Sequence, residues 1–236
     1  MKESSMYSKD LAKYYDIMYQ KKDYKKETAI IETLISKYKK SKGRELLEVA
    51  CGTGNYLKYL KDNFNCTGLD LNEEMLRIAK KKSPKLQFFK ANMINFALNK
   101  KFDVVACLFC TIGQVKTYSN LEKALKSFSK HLNKGGVVII GSWFSTVGKS
   151  GYKVGMQSLE SYEKSEVRIA RMIMSKLSGN ISILEMHYLI AEKGRKGRKG
   201  RQREETQRIL QCFLVLVQDY LELQPFPTAL LNNYRF

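Results

Sequence analysis

Histidine is nearly absent from this sequence: His131 and His187 are the only two in 236 residues. Chemistry that needs several imidazole bases or ligands therefore has little to draw on. His131 lies near Gly135 at the end of an amphipathic stretch and is expected at the surface. His187 sits in an alternating stretch, where an acceptor-facing and a structural role both fit. No apolar run is long enough to span a bilayer. The polar start, MKESSMYSKD, lacks the apolar stretch of a signal peptide, so the expected location is cytoplasmic, with no membrane partner. Five cysteines (Cys51, Cys66, Cys107, Cys110, Cys212) are too few and odd in number for a disulfide framework. Cys107 and Cys110 form a CxxC at an apolar strand end, but no second pair follows at zinc spacing, and no metal site is expected.

What the chain has in excess is positive charge, +19 formally. Such a surface favours anionic partners. Part of the excess is local: the run KGRKGRKGRQR, residues 193–203, supplies seven of the charges. The remainder is spread over helix faces such as Lys80, Lys81 and Lys82. Solvated faces plus a basic loop account for the charge as well as a nucleic-acid site does.

Residues 7–40 read as helical, with Ile30, Ile31, Leu34 and Ile35 near a helical period. Strands and helices then alternate. Residues 45–49 (ELLEV), 66–71 (CTGLDL), 86–89 (LQFF), 102–108 (FDVVACL) and 137–140 (VVII) read as five short apolar strands. Helices are expected from residue 55, after Asn72 as a cap with Met75, Ile78 and Ala79 facing inward, and through Leu121, Leu125, Phe128 and Leu132. This alternation predicts an α/β, Rossmann-like, doubly wound, mostly parallel sheet covered on both faces. The expected layout is an N-terminal helical cap (1–44), the sheet core (45–142), a small antiparallel addition (143–192) and a basic, divergent tail (193–236).

Ligands on such sheets bind at the carboxyl ends of the strands, and the unusual residues fall there. After the first strand comes Glu48-Val49-Ala50-Cys51-Gly52-Thr53-Gly54, a turn whose glycines permit positive φ and close approach of backbone to ligand. A dinucleotide fingerprint would place a third glycine at Leu57, and it is missing. The second strand ends at Asp70, where a carboxylate can accept both ribose hydroxyls of an adenosine. After the third come Asn92, able to pair with an adenine edge, and Met93, an apolar contact for its ring.

EVACGTG, then GLDLNEEML, then ANM, then FDVV resembles the class I methyltransferases that use S-adenosyl-L-methionine (SAM), over roughly residues 7 to 192. Within them the chain is most similar to the amino-sugar N-methyltransferases of macrolide biosynthesis. That likeness rests on Tyr7-Ser8, Tyr15-Asp16, Lys22-Asp23-Tyr24, CLFCTIG at 107–113, Trp143-Phe144, Gly151-Tyr152 and EMHY at 185–188. The resemblance implies SAM as cofactor. Glu48, Ala50, Gly52 and Gly54 would line its methionine end, Asp70 its ribose, and Asn92 and Met93 its adenine. Leu108 would close over it, and Tyr15 and Tyr24 would touch it. Tyr7 would sit by the acceptor, and Trp143 and Arg171 match acceptor-side positions.

Methyl transfer from a sulfonium releases a neutral thioether, so an acid is not required and a triad is not expected. Two positions depart from the sugar enzymes. Gln114 stands where they carry a histidine, and can orient an amine but not take its proton. Gly141-Ser142 replaces their Glu-Pro. After Glu192 the resemblance ends. A sheet lacking its sixth and seventh strands would expose an edge, favouring poor solubility or a homodimer. The expected activity is methylation of a small-molecule acceptor at nitrogen or oxygen. An RNA or protein methyltransferase, or a non-catalytic SAM-binding protein with a defective C-terminus, is the alternative.

Overall fold

The computed structural model describes residues 9–141, 155–178, 181–193, 201–212 and 228–230. Tyr7 and Trp143 lie outside them. Contacts divide the chain into two compact units, residues 1–21 with 145–213, and residues 22–144 with 214–236. Among the described residues no helix is long and apolar enough to cross a membrane.

The stretch expected to be helical breaks into α1 (Lys9–Ala12), α2 (Tyr15–Met18) and α3 (Tyr24–Tyr38). Asp23 restarts the helix at α3, its side chain accepting the Lys26 N–H at 2.9 Å. α3 belongs to the second unit, with Ile31 and Ile35 buried.

That unit continues with β1 (Glu45–Val49), α4 (Leu57–Leu60), β2 (Asn65–Asp70), α5 (Glu73–Lys82), β3 (Gln87–Lys90) and β4 (Phe102–Cys107). A 3-10 turn (Thr111–Val115), α6 (Tyr118–Lys130) and β5 (Leu132–Ile140) follow. β1, β2 and β4 are almost wholly buried, as continuous apolar runs require when both faces are covered. All pairings in this sheet are parallel.

Asn72 caps α5 as expected, accepting the N–H groups of Glu74 and Met75. Leu76, and not Ile78, completes the buried stripe with Met75 and Ala79, because positions 72, 75, 76 and 79 share one face of a 3.6-residue period. α6 ends at Lys130, earlier than the apolar spacing suggested. The Phe102 N–H takes the His131 carbonyl at 2.7 Å, which draws Leu132 out of the helix and into register with Phe102.

The first unit holds an antiparallel sheet of β6 (Gly155–Lys164), β7 (Val167–Ser178), β8 (Ile181–Glu192) and β9 (Arg201–Cys212), in that order. β9 falls in the stretch expected to be a divergent tail. It pairs with β8 from Glu192↔Arg201 to Ile181↔Cys212. Its polar sequence, RQREETQRILQC, has no alternation from which a strand could be read. β10 (Thr228–Leu230) lies parallel to β5 on the edge expected to be open, giving the order β10-β5-β4-β1-β2-β3.

Candidate functional site

Strand order reverses between β1 and β4, so their carboxyl ends diverge into a crevice. β1 leaves the sheet through Ala50, Gly52 and Gly54, with φ of 57°, 54° and 73°. At Gly52 an added Cβ would meet nothing within 4 Å, so conformation alone, not crowding, favours glycine there. Gly68 is the opposite case: a Cβ would lie 2.6 Å from the Phe88 ring and 2.9 Å from Cys51 Sγ. The glycine of the GLD motif thus lets the Cys51 turn and β3 pack against β2.

Asp70, at the end of β2, accepts the Gly52 N–H at Oδ2 and the Asn72 N–H at Oδ1, both at 2.8 Å. Burial raises its pKa, opposed by these backbone donors. Each oxygen keeps acceptor capacity for a hydroxyl. Glu48 is 2% exposed, and its Oε2 has no hydrogen-bond partner among the described residues. Burial, reinforced by the Asp70 charge, pushes its carboxyl well above the usual range. An orphaned buried acceptor beside an open glycine turn suits a ligand that brings a positively charged donor.

Asn92 and Met93 follow β3 and are half-buried, with Asn92 Oδ1 accepting the Ile94 N–H at 3.0 Å. Leu108 is buried after β4. Behind it Phe109 and Cys110 both adopt left-handed backbone, φ 54° and 60°, at a cost of about 1–3 kcal/mol each. Gln114 is half-buried in the 3-10 turn. Glu48, Ala50, Gly52, Gly54, Asp70, Asn92, Met93 and Leu108 therefore all lie at the carboxyl ends of neighbouring strands. Tyr24 opens α3, its ring edge-on to Tyr56 at 5.0 Å. Sequence reasoning missed Tyr56 and Glu27, and gave Lys22 and Phe109 only as parts of motifs. The one signal was their nearness to Lys22-Asp23-Tyr24, Gly54 and Leu108.

In the other unit, Tyr15 stacks obliquely on Tyr19 with ring centroids 4.7 Å apart. Arg171 on β7 is buried. It donates to the Tyr19 hydroxyl at 3.0 Å, pairs with Glu160 and lies between the Tyr19 and Tyr162 rings, 5.3 and 5.2 Å from their centroids. His187 is half-buried on β8, opposite Met172.

His131 corrects the surface expectation: it is 6% exposed and caps α6 from within. Its Nδ1 faces the Ser127 carbonyl at 2.7 Å, its Nε2 accepts the Leu98 N–H at 2.9 Å, and its ring stacks on Phe96. The loop before β4 folds over the helix end and encloses it.

Residues 46–136 match the family model for a methyltransferase domain. The chain is 32% identical over 206 residues to a dTDP-3-amino-3,6-dideoxy-alpha-D-glucopyranose N,N-dimethyltransferase of Streptomyces fradiae, covering 86% of this chain and 78% of that protein. Among solved structures it resembles DesVI of Streptomyces venezuelae (TM-score 0.77, 30% identity, 92% of this chain and 90% of that one). It also resembles a SAM-bound amino pentose methyltransferase from Micromonospora echinaspora (TM-score 0.69, 25% identity, 93% and 88%).

Proposed function

This chain belongs to the SAM-dependent methyltransferases, and on that premise we propose that it methylates the amino group of a small, nucleotide-linked amino sugar. The observation that carries this reading is the extent of the likeness. It runs over 206 residues, well beyond the 46–136 that match the methyltransferase domain model. The relatives from Streptomyces fradiae and Micromonospora echinaspora are named for amino sugars, which favours a small acceptor over RNA or protein.

The crevice residues fit SAM. The orphaned Glu48 oxygen and the left-handed turn at Gly52 and Gly54 suit its methionine end. Asp70 suits the ribose hydroxyls, Asn92 and Met93 the adenine, and Leu108 a cover over the cofactor. Tyr24, and by resemblance Tyr15, complete the set. Bound SAM supplies a methyl group on a cationic sulfur that becomes a neutral thioether on transfer. The protein has then to orient the amine in line and keep water away. Gln114 can hold the amine by a hydrogen bond but takes no proton from it. The acceptor must therefore arrive as the neutral amine. Tyr7, Trp143 and Arg171 are the acceptor-side residues by the same resemblance.

The test is to incubate the protein with SAM and the dTDP-linked 3-amino-3,6-dideoxy sugar and follow the sugar by mass spectrometry. Gain of one or two methyl groups is expected. No gain, from folded protein that binds SAM, would remove the amino sugar as acceptor.

A further inference from the structure

Three aromatic rings of the sheet unit surround one ammonium. Lys22 Nζ lies 4.5 Å from the centroid of Phe109, 5.5 Å from that of Tyr24 and 6.0 Å from that of Tyr56. Glu27 adds a carboxylate: one oxygen pairs with Lys22 and the other accepts the Tyr56 hydroxyl. The Lys22 side chain is only 10% exposed, and that of Glu27 19%. Ring faces plus a carboxylate make a receptor for a cation. A lysine ordinarily keeps its strongly hydrated ammonium in water, and enclosing it here costs hydration.

The box adjoins the cofactor crevice. Tyr56 lies two residues beyond Gly54, and Phe109 follows Leu108 directly. Burial, with the charge of Glu27, holds the Tyr56 hydroxyl far above its usual range. Lys22 and Glu27 in turn act on Cys110, at the left-handed turn after β4. One carboxylate and three ring faces thus form a cation receptor beside the crevice, and Lys22 supplies its cation.

We propose that Lys22 is a tethered occupant of the place meant for the positive charge of SAM, filling the box in the free protein and giving way to the sulfonium. The inference rests on the SAM site described above. S-adenosylhomocysteine (SAH), whose sulfur is uncharged, has no claim on the ring faces and binds with Lys22 still in the box. Once the methyl group has gone to the acceptor, Lys22 meets no rival at the sulfur and returns to the box. Lys22 thus sets preference between substrate and product forms.

Calorimetric titration of SAM and SAH into the wild type, Lys22→Met, Lys22→Arg and Lys22→Met with Glu27→Gln tests this. Lys22→Met removes the rival cation and should raise the preference for SAM over SAH about tenfold. Glu27→Gln weakens the box for Lys22 and the sulfonium alike, so it is read in the Lys22→Met background, where no rival remains and it should lower that preference by a similar factor. Lys22→Arg keeps a cation and should leave it near the wild-type value. If Lys22→Met, and Glu27→Gln in that background, with wild-type melting temperatures, shift both ligands by one common factor, the cluster is structural or binds the carboxylate shared by both ligands, and the inference is overturned. A folded wild type that binds neither ligand would instead overturn the cofactor site itself.

Discussion

Asp70 closes the glycine turn of the neighbouring strand: its Oδ2 accepts the Gly52 N–H at 2.8 Å. One carboxylate therefore shapes the turn and, in the proposed site, offers acceptors to a ribose. Asp70→Ala should weaken SAM and SAH together by about a hundredfold, as loss of charge-assisted hydrogen bonds to a ligand does. Calorimetry reads this directly, and wild-type affinity in the variant would place the ribose elsewhere.

Glu48 has the opposite balance of function and stability. Its folded pKa lies well above the ordinary 4.5 because burial penalises the charged form. The folded state therefore favours the protonated carboxyl. The corresponding stability is fully present below the unfolded pKa and is lost as pH rises through the folded one. At neutral pH Glu48→Gln should stabilise the ligand-free protein by about 1–3 kcal/mol while weakening SAM binding. Urea unfolding at several pH values measures it; wild-type and variant curves that stay parallel with pH would contradict the assignment.

Gly68→Ala places a methyl group 2.6 Å from the Phe88 ring and 2.9 Å from Cys51 Sγ. Overpacking of this kind costs about 1–3 kcal/mol. A lowered unfolding midpoint, with SAM binding retained once the protein is folded, is the expected result. An unchanged midpoint would show that the ring moves aside freely.

Gln114→His would introduce a base where the sugar enzymes carry one. Wild-type kcat/KM should rise with pH until the acceptor amine is neutral, whereas the variant should keep more of its rate at lower pH. Matching pH profiles for the two proteins would remove Gln114 from the acceptor site.

The gathering of the candidate residues at the crevice was legible in the sequence because each of its parts is local. Glu48 to Gly54, Gly68 to Asp70, and Asn92-Met93 each follow their own short apolar run, and strand ends converge in a parallel sheet without further information. What escaped reading depended on distant partners. His131 is buried because a loop some thirty residues earlier supplies the Leu98 N–H and the Phe96 ring. β9 has no apolar alternation and is recognisable only by its register with β8. The Lys22 box joins the start of α3, the beginning of α4 and the end of β4, and none of its members is unusual alone. β10 is three residues long and takes its place from β5.

The crevice draws its strand ends from one unbroken stretch, Glu48 to Leu108, whereas the antiparallel unit joins residues 1–21 to residues 145–213. Loop closure over such a separation is slow compared with pairing of neighbouring strands. On the ribosome the first segment must therefore wait for its partners long after the strands of the crevice have emerged. Synthesis delivers the crevice first, and α1 and α2 are among the last elements to find their partners.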